Sequence, residues 1–186
     1  MLNSPVWRGA PQYAFGLGLV AGGVLSAAGI VVLGSLLRPL VPPALGWGLV
    51  AAAFVALAAR EVGLVRFAMP QNARLVPETV FRHGPFWGPF EFGLEMGTGM
   101  RTYVTSGLPY VVLLAIALLA PWQAALVAGV GFGLGRFVMT SASLRLATGE
   151  WDLLFDAYAR LVRGLLLGAF ALALLVAALA SSALGG

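Results

Sequence analysis

The sequence predicts an all-α fold, a polytopic transmembrane bundle of about five spanning helices, and three observations carry that reading. Of the 186 residues, 60% are hydrophobic and 10% are charged, whereas a soluble domain carries roughly a quarter of its residues as charges. One core cannot hide that apolar excess, so it must face lipid. The mean hydropathy of +0.94 is gathered into uncharged runs near the ~20 residues that a spanning helix needs. Proline, glycine and arginine punctuate those runs, as residues that stop helices and mark membrane borders do. The length allows one integral membrane domain over residues 1–186 and no separate soluble module.

The first span is expected over 13–37, which is uncharged throughout and is stopped by Arg38, Pro39, Pro42 and Pro43. It is too long for the apolar core of a signal peptide, so it reads as a retained span. The second runs over 44–64, with Arg60 and Glu61 near its end, where snorkelling of Arg60 to the membrane border accounts for that charge. Residues 67–101 are rich in proline, glycine, aromatics and charge and read as a re-entrant or interfacial segment. The third and fourth spans, 102–120 and 122–140, are separated by a tight turn at Pro121. The fifth covers 161–180. Before it, 148–160 reads as an amphipathic interfacial helix. There Thr148 serves as cap and Glu150 and Asp152 lie in the first turn, where the helix dipole favours acids. Trp151, Leu154, Phe155 and Tyr158 form its apolar side.

Arginine placement favours five spans over six. With a cytoplasmic N-terminus, five spans put every arginine except Arg38 on the inner side, in keeping with the positive-inside bias. The alternative of six makes 85–101 a crossing and moves Arg136, Arg145, Arg160 and Arg163 outside. The expected location is a prokaryotic inner (cytoplasmic) membrane, with the C-terminus outside.

The chain has no cysteine and one histidine, His83. Disulfides, thiolate metal sites and iron–sulfur clusters are therefore excluded, and no metal site is expected. The pI of about 10.3 would point to nucleic acid in a soluble protein. Here the basic residues, all arginine, read as topology signals, and no nucleic-acid partner is expected. Phosphate-binding loops, nucleophile elbows and paired zinc histidines are missing from the sequence. An enzyme would have to work through Glu91, Glu95 and His83, and the reading leans away from one.

The segment from His83 to Arg101 carries the candidate site. It holds two Gly-Pro pairs, an aromatic cluster and two acids. A helix from about Pro89 would put Glu91 and Glu95 on one face. Gly97-Thr98-Gly99 would then end it and leave backbone carbonyls free, which at membrane depth is tolerated only inside protein or along a wet cavity. Glu91, Glu95, Thr98, Arg101 and His83 are thus the candidate residues for a cation, a proton or a substrate, with Glu95 as the ionisable centre. The competing reading is a surface helix whose charges meet water and whose aromatics sit in the interface. Asp152, Asp156 and Arg160 recur every four residues, as a solvated face or a docking surface for a soluble partner would.

Glycines four apart let helix backbones approach closely. Such pairs occur at Gly18/Gly22, Gly93/Gly97, Gly129/Gly133, Gly131/Gly135 and Gly164/Gly168. The motif Phe-Gly-Leu recurs at Phe15, Phe92 and Phe132, and 101–106 echoes 136–141, as an internal repeat would. In size, broken helices and this echo, the layout resembles small bacterial transporter-like membrane proteins that include the cytochrome c biogenesis thiol carriers. The cysteine pair those carriers need is missing, so their reductant transfer does not carry over.

The expected function is a small membrane transport or transport-accessory protein, with its polar site around 85–101. The alternative is a non-catalytic membrane subunit that anchors or stabilises a larger complex. Both imply the lipid bilayer as surroundings, and further copies or other membrane subunits as partners.

Overall fold

The computed structural model describes residues 9–69, 83–99, 106–145 and 150–184. They form six α-helices: α1 (Ala10–Leu37), α2 (Pro43–Glu61), α3 (Gly84–Gly97), α4 (Leu108–Leu118), α5 (Trp122–Arg145) and α6 (Glu150–Leu184). A short 3-10 turn, Arg38–Leu40, follows α1. There is no strand among the described residues. Four of the helices, α1, α2, α5 and α6, are long and apolar enough to cross a membrane.

The helix ends follow local rules. Pro11 and Pro43 lie in the first turns of α1 and α2, where a missing N–H costs nothing and a fixed φ helps. The end of α2 is set by Gly63, whose φ of +83° disfavours any side chain. Gly63 N–H donates to the Arg60 carbonyl at 3.0 Å and Leu64 N–H to the Ala59 carbonyl at 2.8 Å, the Schellman pattern. That stop sits three residues before the expected end of the second span.

Two other expectations shift further. The third span, expected over 102–120, is an 11-residue helix, α4, about 17 Å long and too short to cross a ~30 Å apolar core. The interfacial helix expected over 148–160 and the span over 161–180 are one uninterrupted helix, α6, of 35 residues; Thr148 lies outside the described residues. Nothing in the sequence between Asp156 and Leu161 breaks a helix, so the charged and apolar stretches continue into each other.

The organising element is α1, which packs against α3, α4 and α5. Glycines set its contacts. A Cβ added at Gly22 would fall 2.8 Å from the Gly97 Cα, and one at Gly18 would fall 2.8 Å from the Leu94 nitrogen. Helix α3 thus lies backbone to backbone on α1. On another face of α1, a Cβ at Gly133 would meet the Val20 Cα at 2.5 Å, which puts α5 in the same intimate contact. The Phe-Gly-Leu motifs converge here. Gly93 lies against Phe15 and Leu19, and Gly133 against Leu19 and Val20. The Phe15 and Phe92 rings are 5.7 Å apart, and Leu19 is fully buried. The echo therefore coincides with a packing point.

Pairings along α1 fix directions. Phe15 and Leu19 meet Gly93, Gly22 meets Gly97, and farther along Gly34 meets Ala117. Hence α3 and α4 both run parallel to α1, the first beside its N-terminal half and the second beside its C-terminal half. Gly23 meets Gly129, Gly16 meets Phe137, and Gln12 bonds Ser141, so α5 runs antiparallel. Gly46 meets Leu119 and Gly107 meets Leu57, which makes α2 antiparallel to α4.

Candidate functional site

Several polar contacts lie where α3 stops and where α4 starts. Thr98 caps α3, and Gly99 turns the chain away with φ +72°. The Ser26 hydroxyl of α1 donates to the Thr98 carbonyl at 3.1 Å. Ser26 lies close to the middle of the 28-residue α1. The start of α4 is at nearly the same level. Gly107 precedes Ala117 by ten residues, about 15 Å of helix, and Ala117 lies against Gly34. Two half-helices thus end and begin beside the centre of α1.

A helix start leaves backbone N–H groups without partners, and at α4 the first ones are accounted for. Gly107 N–H donates to Glu61 Oε1 at 2.7 Å. Leu108 N–H meets the Ser106 hydroxyl at 3.3 Å. Pro109 has no N–H, and Tyr110 N–H donates to the Gly107 carbonyl at 3.0 Å. The bond to Glu61 is charge-assisted, and it places an acid at the positive end of a helix dipole. The Glu61 side chain is only 11% exposed, with Arg60 Nη1 3.9 Å away. Arg60 itself donates to the Phe67 carbonyl at 3.1 Å and lies over the Phe67 ring. At the far end of α4, Arg38 donates to the Ala117 carbonyl at 3.1 Å and to the Ile116 carbonyl at 2.6 Å. A cation there complements the negative end of the helix.

The described residues of the expected site lie along α3 and at its two ends. His83 and Glu91 do come together, Nδ1 to Oε2 at 2.7 Å, but 57% and 42% exposed, His83 at the N-cap of α3 and Glu91 at its middle. The helix begins at Gly84 and not near Pro89. Pro85 sits in its first turn, and Pro89 sacrifices one bond to the Pro85 carbonyl. Glu95 is half-buried in the last turn of α3. The carbonyls expected to be free there accept hydrogen bonds. Leu94 receives Thr98 N–H, Met96 receives Gly99 N–H, and Glu95 receives the Thr98 hydroxyl at 2.7 Å. Arg101 lies outside the described residues. Of the docking candidates, Asp156 and Arg160 are exposed on α6, and the side chain of Asp152 is not among those described.

Glu61, read from sequence with Arg60 as a residue near a membrane border, is tied to the start of α4 through Gly107, a link sequence reasoning missed. Ser26 was also missed. Its signal was a lone hydroxyl in the middle of a long apolar run. Among the described residues there is no group of three or more acidic or histidine side chains fit to hold a metal ion. No protein-family model, curated protein or solved structure matches the chain.

Proposed function

We propose that the protein is a small membrane transport or transport-accessory protein, with its polar site at the α3–α4 break. The observation that carries this reading is the Glu61–Gly107 bond beside the centre of α1. Irregular backbone and an ionisable group at membrane depth occur where they line a path or bind a solute, because both are costly in lipid. Discontinuous helices whose ends meet near the midplane are a recurrent way of building such sites in transporters.

In this reading the chain crosses the membrane five times. Helices α3 and α4 together, about 21 and 17 Å long, make one interrupted crossing parallel to α1. Arg136 and Arg145 of α5 then fall toward the side of the α1 N-terminus and Arg38 toward the other, while Arg60 lies nearer the level of the α1 centre. This supports a cytoplasmic N-terminus and an external C-terminus in a prokaryotic inner membrane.

A second reading, a non-catalytic subunit of a larger membrane complex, is favoured by α6. None of its apolar window is buried within the chain, and Gly164 and Gly168 face open space. Native mass spectrometry of protein gently solubilised from its host membrane separates the two. Arrival alone or as a homo-oligomer supports transport, and stoichiometric foreign subunits support the second reading.

A further inference from the structure

We infer that α6 is the seam through which the chain pairs, in parallel, with a second copy of itself. The inference goes beyond the proposed function, which leaves the occupant of this helix unnamed.

Apolar positions recur along α6 with a period of seven. Leu154, Leu161, Gly168 and Leu175 form one row and Tyr158, Leu165, Leu172 and Leu179 the other. This is the alternation of three and four residues by which two helices wrap around each other. Every large side chain of the seam is exposed, from 46% at Leu154 to 65% at Leu165. At about 100° per residue, Asp156, Arg160 and Arg163 fall on the far side of the helix. So do the half-buried Ala159, Leu167, Phe170, Leu174 and Ala178, through which α6 is turned toward the rest of the chain. A second copy can therefore reach the seam without meeting the chain's own helices.

Lipid does not cover the whole of this seam. Residues 164–184 hold no charge and, at about 31 Å, match a ~30 Å apolar core. All five charged residues of α6 lie in 150–163, which adds about 20 Å of helix. Because α6 is unbroken, that portion cannot lie flat on the membrane while the remainder crosses it. Leu154, Tyr158 and Leu161 are then carried past the apolar core, where burial against protein is favourable.

A copy of the chain suits the seam better than a foreign subunit. Copies inserted with one topology present α6 in the same direction, so a two-fold axis sets each seam residue against its own equivalent. With no charge on the seam, that symmetry opposes no like charges. Gly168, the one seam residue without a side chain, meets itself, at the level where the two backbones come closest. The seven large side chains expose on the order of 700 Å², near the ~800 Å² per partner of a stable interface.

The chain has no cysteine, so in purified protein a single introduced cysteine can form a disulfide only with another copy. The test uses the full chain reconstituted in phosphatidylethanolamine/phosphatidylglycerol vesicles and oxidised with copper phenanthroline. Leu154→Cys and Leu161→Cys should form linked dimers severalfold faster than Asp156→Cys, Arg160→Cys and Arg163→Cys at equal protein density. Equal rates on the two faces, or faster ones on the charged face, overturn the inference. Tyr158→Arg puts a charge from each copy on the axis and should slow the Leu154→Cys cross-link severalfold; an unchanged rate is equally fatal. The pair Gln12→Cys/Ser141→Cys joins α1 to α5 within one chain. It should close equally with and without Tyr158→Arg, which separates loss of pairing from loss of the fold. If Tyr158→Arg fails that control, Tyr158→Ala takes its place with the same expected slowing. In host membranes, a Leu154→Cys protein linked mainly to a foreign chain overturns the inference and favours the anchoring subunit. A linked dimer that also carries foreign subunits in its native mass leaves pairing standing and removes transport.

Discussion

Helices α1 and α6 are both long, apolar and dotted with glycine, yet the chain treats them in opposite ways. Glycines at 18, 22, 23 and 34 of α1 each lie against the backbone of another helix. The glycines of α6 meet nothing within 4 Å, and that helix makes only slight contact with α2. Both helices carry a four-residue glycine pair, Gly18/Gly22 in α1 and Gly164/Gly168 in α6, although α1 is the richer in glycine. The difference is whether a neighbour arrives with a matching smooth face, as α3 does with Gly93 and Gly97 and α5 with Gly129 and Gly133. In lipid, where apolar side chains gain little by leaving their surroundings, close backbone approach is a main source of helix association. A four-residue glycine spacing is therefore an opportunity that the rest of the chain either uses or leaves open.

The comparison breaks most sharply at Gly22. Gly22→Leu should destabilise the bundle by about 3 kcal/mol or more, because backbone on both sides leaves no room for adjustment. The unfolding midpoint of detergent-solubilised protein in an SDS titration reads it, and a wild-type midpoint would show that α3 does not rest on α1. Arg38→Ala should cost about 1–2 kcal/mol, for two bonds from a charged donor to the end of α4. A loss confined to α4, seen as faster hydrogen exchange at residues 108–118 with α3 unchanged, would show that the two half-helices are held separately. Ser26→Ala should cost roughly 0.5 kcal/mol, typical of a single interhelical hydrogen bond in a membrane protein. Thermal unfolding in parallel with wild type is sensitive enough to detect it. Gly164→Leu should leave the stability of the isolated chain within about 0.5 kcal/mol of wild type. If it also changes the native mass, the open face of α6 is occupied by another chain, and the contrast with α1 disappears at the level of the assembly.

The sequence made the helical class legible because lipid-facing helices announce themselves by length and uniform apolarity. The starts at Pro43 and Trp122 and the stop before Arg38 are also local features, and they were read within a few residues. What escaped depended on neighbours. Residues 102–107 look as compatible with a span as those after them, and no local rule says that the helix begins only at Leu108. Glu61 next to Arg60 resembles any charged pair at a membrane border, since its partner, Gly107, is 46 residues away. For the acids of the Gly-Pro segment, what the sequence left open was their exposure. His83 and Glu91 meet in space, and α3 leaves both of them largely exposed, His83 at its N-cap and Glu91 at its middle. Among the glycine pairs, spacing could not separate Gly129/Gly133, pressed on α1, from Gly131/Gly135 on the open side of the same helix.

The brevity of α4 bears on how such a chain is made. Eleven apolar residues are too few to settle across a bilayer unaided, whereas α4, the Pro121 turn and α5 together form a helical hairpin. In the five-crossing reading, biosynthesis is therefore expected to deliver α4 and α5 to the lipid as one unit. It would do so after α1 has already taken its place, with Gly34 waiting for Ala117 and Gly23 for Gly129. A ribosome-stalled chain ending inside α5 should leave α4 accessible to aqueous reagents, and one extended beyond Arg145 should not.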